Sequence, residues 1–124
     1  MSLFSHQTAP EAVLDRLTKV PNFAFGPVGV AGLPSQGELD YNQILARPTA
    51  LKDFETLFKS ASIEAKCYAL AALFTLNHDE FLKLAKPFRT GDAKASVMSG
   101  CIMRHEAVSS IIAEIESGIH SKKK

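Results

Sequence analysis

Cys101 and His105 stand four residues apart with Glu106 directly after them, the spacing that on a helix sets a thiol and an imidazole on one face as nucleophile and base. That pair offers the chemistry of a thiol-dependent enzyme or redox protein working through Cys101. Such an enzyme also needs an oriented base and an oxyanion hole, and Gly100 next to the thiol weakens any helical register. The same thiol has a structural use. A bridge from Cys67 to Cys101 would close a loop of about 33 residues, worth roughly 3–4 kcal/mol where the geometry allows the bond. Two reduced cysteines buried as small apolar residues are the third reading.

Other polar clusters have plainer explanations. His78, Asp79 and Glu80 are adjacent, so on a helix they point in different directions and do not converge on a metal; an acidic first turn is what a helix N-terminus favours. No metal and no cofactor is expected. Gly26, Gly29 and Gly32 lack the glycine spacing of a dinucleotide-binding turn and the Gly-Lys-Ser/Thr ending of a P-loop. Lys83, Lys86, Arg89, Lys94, Arg104 and Lys122 to Lys124 gather positive charge late in the chain, which makes a nucleic-acid accessory protein a further alternative. They lack the interleaved aromatics of a single-strand binder, and a solvated face explains them as well.

The elements that must position these groups read as helices. Thr8, Pro10 and Glu11 mark a helix start, followed by Val13, Leu14, Leu17 and Val20 at helical spacing up to Pro21. Pro21 to Gly37 holds four of the seven glycines in the chain, which rules out a long regular element. Its Phe23, Phe25, Val28, Val30 and Leu33 predict an ordered loop packed over the core, and loops of this length are often functional. A short helix is expected from Glu38 to Pro48, then one capped by Thr49 with Leu51, Phe54, Leu57 and Phe58 on one side. Ser62 caps the central helix, in which every residue from Cys67 to Phe74 is apolar or aromatic; such a helix must be enclosed on all sides. Ser60 and Ala61 separate these two helices, so they form an αα-hairpin. Asn77 caps a helix ended by Pro87 and Gly91, and Val108, Ile111, Ile112 and Ile115 define the last one, stopped by Gly118. Residues 92–104 show no helical stripe and are expected to be an extended or irregular crossover.

Ser62, Ala65, Lys66, Tyr68, Ala69, Leu70 and Leu73, the glycine loop from Phe25 to Gly32, and Ser99-Gly-Cys-Ile102 together resemble a family of small uncharacterised bacterial proteins with HEAT-like helical repeats. The resemblance implies an αα-hairpin style of packing and a protein-binding role. It supplies no substrate and no catalytic residue.

Fourteen Lys plus Arg against thirteen Asp plus Glu give a formal charge of +1, so no global field draws the chain to nucleic acid or to an anionic membrane. The 124 residues suffice for one domain with one core. The fold expected is mainly α, a single antiparallel helical array over residues 1–124, frayed at 1–7 and 120–124, with a long Gly/Pro loop. The function expected is a non-catalytic protein-interaction or adaptor module, binding a protein partner through Phe23, Phe25, Val28 and Leu33 and the adjoining helix face. The N-terminal residues lack the pattern of a secretory signal, which indicates a cytoplasmic protein; Met1-Ser2-Leu3 is also a common vector remnant, and export with a signal peptide removed is the alternative.

Overall fold

The structure is a computed structural model that describes residues 10–25, 27–28, 33–59, 62–100 and 102–118. It is mainly helical. Its centre is α4 (Ile63–Leu76), whose Ala65 and all seven residues from Cys67 to Leu73 are buried. The Ser62 hydroxyl accepts the Ala65 N–H at 3.2 Å, fixing the first turn at the expected residue. Against α4 pack α3 (Ala50–Phe58), α5 (His78–Arg89) and α6 (Val108–Glu116). Buried residues of these helices, of α1 (Pro10–Thr18) and of α2 (Gln36–Leu45) join one hydrophobic cluster.

The junctions around α4 are short and saturated. Asn77 alone separates α4 from α5. Its N–H donates to the Leu73 carbonyl at 2.8 Å and its side-chain oxygen accepts the Glu80 N–H at 3.2 Å, so one residue closes one helix and opens the next. Lys66 Nζ donates to the Phe58 carbonyl at 2.9 Å, satisfying the end of α3 from the first turns of α4. Thr49 occupies the N-cap position of α3, but its hydroxyl donates to the Asp53 carboxylate at 2.9 Å instead of capping the backbone.

Two further expectations change. Pro87 does not end α5, which runs to Arg89. The missing N–H costs a turn bond, but Phe88 packs on the core and Arg89 makes a two-pronged pair with Glu116 of α6, at 3.2 and 2.6 Å, so the last turn is held from outside. The stretch expected as an extended or irregular crossover is extended but does not cross over: it is a regular antiparallel hairpin, β3 (Lys94–Ser99) with β4 (Ile102–Ala107). Gly100, at φ +59°, opens its two-residue connection, a left-handed conformation that favours glycine. A second, smaller hairpin pairs β1 (Pro27–Val28) with β2 (Leu33–Pro34), and β1 touches β3. Thr8, Gly26, Gly29, Val30, Gly32, Ser60, Ala61, Cys101 and the lysine tail lie outside the described residues.

Candidate interaction surface

The Gly/Pro segment is tied to the helices at its base. The Tyr68 hydroxyl donates to the Ala24 carbonyl at 2.9 Å and accepts the Ala24 N–H at 3.0 Å, so one side chain of α4 satisfies both backbone groups of a buried loop residue. Burial raises the Tyr68 pKa, opposed by these hydrogen bonds. Gly37 lies directly beneath: a Cβ there would sit 2.8 Å from the Tyr68 hydroxyl and 2.9 Å from a Val20 methyl, so the close approach of α2 requires glycine. Phe23, Phe25, Tyr41 and Tyr68 cluster with ring centroids 4.9–5.7 Å apart, each contacting pair edge to face or tilted.

A carboxylate completes the anchor. Asp40 is only 1% exposed and accepts two bonds from Arg16, at 2.8 and 2.6 Å, and one from Gln36 at 3.0 Å. A buried charge requires such pairing. Asp40 in turn raises the pKa of Arg16, through the hydrogen bonds first and its charge second. Beside this pair opens a cleft of about 430 Å³ lined by Arg16, Lys19, Val20, Asn22, Gln36 and Met98, among others. The Asn22 side-chain oxygen is buried there without a hydrogen-bond partner.

The two hairpins carry the most exposed apolar side chains. Leu33 on β2 is 63% exposed, Ile102 and Met103 on β4 are 65% and 52% exposed, and these three are the most exposed large apolar side chains among the described residues. The edges of the β3–β4 ribbon are unequal. On the β3 side, the Phe23 N–H donates to the Ser96 carbonyl at 2.8 Å, the Met98 N–H to the Phe23 carbonyl at 3.3 Å, and the Ser96 N–H to the Glu64 carboxylate at 2.8 Å. Loop and central helix thus cover that edge. No described residue covers the outer edge of β4.

The expected binding residues therefore divide. Phe23 is a core residue with its backbone in the sheet, because its ring fills the space between Tyr68 and Phe25; it presents nothing to a partner. Phe25 is half-buried in the same cluster, the Val28 side chain lies outside the description, and Leu33 faces outward.

No known protein-family model matches the chain, and no curated protein matches it. His105 lies exposed on β4 opposite Ser96, so the helical spacing supposed for Cys101 and His105 does not apply; Cys101 itself is outside the described residues. Cys67 is a free thiol, and burial, reinforced by the charges of Glu64 and Glu106, pushes its pKa up to about 12, the opposite of an activated nucleophile. Of the basic residues, Arg89 on α5 pairs with Glu116, Lys83 on α5 approaches Glu80 and Arg104 on β4 approaches Glu106, so each of these has an acidic neighbour and they are divided between two elements. No group of three or more metal-ligating side chains converges among the described residues, and no helix there is long and apolar enough to cross a membrane.

Ile102 and Met103 were not anticipated as surface residues. The signal was the Val97, Ile102 and Met103 content on either side of Gly100, which fits a hairpin as well as an irregular crossover. The Arg16–Asp40 pair joins residues 24 apart and leaves no local pattern.

Proposed function

We propose that the chain is a non-catalytic protein-interaction module whose contact surface is its β end: Leu33 of β2 with Ile102, Met103 and the open edge of β4. The reading retains the expected role of the Gly/Pro segment and adds β4 to it. One observation carries it: Ile102 and Met103 on β4 are, with Leu33, the most exposed large apolar side chains among the described residues, and they stand along an edge whose outward N–H and C=O groups no described residue pairs, the features used by proteins that add a strand from a partner. A HEAT-like packing of α3 and α4 belongs to the same reading, supported by their direct contact and short connection.

The test is site-specific photo-crosslinking in the native host from position 33 and, separately, position 103, with position 52 on the exposed face of α3 as control. Discrete protein adducts from 33 and 103 and none from 52 are expected. No adduct from either β position, or equal labelling from all three, sinks the reading.

A further inference from the structure

Resting on that reading, we propose that the occupant of the β4 edge is a second copy of this chain, paired antiparallel about a two-fold axis through His105. The argument begins with which backbone groups face outward. In an antiparallel ribbon, residues whose N–H and C=O point away from the partner strand alternate with those bonded to it. Ser96 and Met98 use their groups on the outer side of β3, so their opposite numbers, His105 and Met103, must direct theirs to the outer side of β4. A second β4 can therefore dock only with odd-numbered residues opposite odd-numbered ones.

Charge then selects among the two-fold registers this permits. Centring the axis on Arg104 sets Arg104 against its own copy, and centring it on Glu106 sets Glu106 against its own copy; both oppose like charges. Centring it on Met103 leaves Arg104 against Ile102. Centring it on His105 places Arg104 opposite Glu106 of the second copy, twice by symmetry, with Met103 opposite Ala107. The sequence Met-Arg-His-Glu-Ala is thus self-complementary in one register and self-repelling in its two neighbours.

Surroundings favour the same register. Arg104 reaches its own Glu106 only at 3.5 Å, and Glu106 lies beside Glu114 of α6, whose pKa rises through burial first and the Glu106 charge next. Arg104 of the second copy would bring another cation to this acidic pair. The result is a four-stranded sheet continuous across two chains, an isologous interface that closes and leaves no further edge to extend.

Sedimentation equilibrium of the full chain and of three charge variants tests the proposal. A concentration-dependent dimer is expected for the parent chain. Arg104→Glu and Glu106→Arg should each weaken it about ten-fold or more, since each places like charges opposite one another, and the double variant should recover most of the loss. A parent chain that stays monomeric at about millimolar concentration, or single reversals that dimerise as well as the parent, overturns it. Should a reversed chain fail to fold, the parent alone decides: in a mixture of isotope-labelled and unlabelled chains, intermolecular contacts between the α-protons of Arg104 and Glu106 are expected, and their absence from a dimer overturns the register. A monomer that still gives photo-adducts with another protein from position 103 refutes the self-pairing while leaving the interaction surface standing.

Discussion

Two hairpins of consecutive elements, α3–α4 and β3–β4, end in opposite ways. In the helical one, α3 and α4 pack together, the end of α3 is closed by Lys66, and α4 buries Ala65 and Cys67 to Leu73. In the strand one, β3 is covered on its outer edge by Phe23 and Glu64, while β4 exposes Ile102, Met103 and a row of backbone groups. The first spends most of its apolar residues on the fold, with Leu51 and Leu76 only 36% and 37% exposed at its ends. The second keeps part of its own at the surface, which places stability and function at different positions of the same chain.

Truncations should separate the two hairpins most sharply. Leu70→Ala in α4 leaves a cavity in a closed core and is expected to cost about 2–5 kcal/mol in denaturant unfolding, whereas Ile102→Ala should stay within about 0.5 kcal/mol of the parent. Equal losses would erase the distinction.

The buried carboxylate comes next. Arg16→Ala leaves Asp40 enclosed with only Gln36 to hold it, and a loss of about 2 kcal/mol is expected, below the usual cost of a broken buried pair because the Arg16 side chain is 48% exposed at the cleft. Asp40→Asn keeps the Gln36 contact and should cost less, read by the same unfolding curves. Gly37→Ala gains helix propensity but drives a Cβ into Tyr68 and Val20, so a net loss of about 1–2 kcal/mol is expected. An alanine that stabilises the chain would show that Tyr68 can leave Ala24.

The smallest effects concern titration. The folded pKa of Glu114 is raised, so its contribution favours the fold below the unfolded carboxyl value of about 4.3 and is lost as pH rises through the folded value. Glu114→Gln should therefore raise the melting temperature at pH 7 by about 1–3 °C, with the gain fading towards pH 4. Glu116 has the opposite sign. Its hydrogen bond from Arg89 lowers the folded pKa, so the stability it adds is present above about pH 4.3 and disappears on acidification; Glu116→Gln should lose a similar small amount at pH 7 and nothing in acid.

The helical half was legible because its signals are local. Ser62 and Asn77 cap as their residue types predict, and Val108, Ile111, Ile112 and Ile115 are all buried at helical spacing. The strand half was not. Ala95 and Val97 alternate inward on β3, but β4 buries neither face fully, so it carries no period-two pattern to separate a strand from an irregular segment. The covering of β3 by Phe23 and Glu64 joins residues more than 30 positions apart or reverses the expected outward role of Phe23, and neither leaves a trace in spacing.

Residue-resolved amide hydrogen exchange on a dilute sample tests the open edge most directly. At concentrations where the chain is monomeric, Arg104 and Glu106 should be protected by their bonds to β3, while Met103 and His105 exchange rapidly. Protection of Met103 and His105 under those conditions would mean that the chain covers its own edge, and would contradict the account.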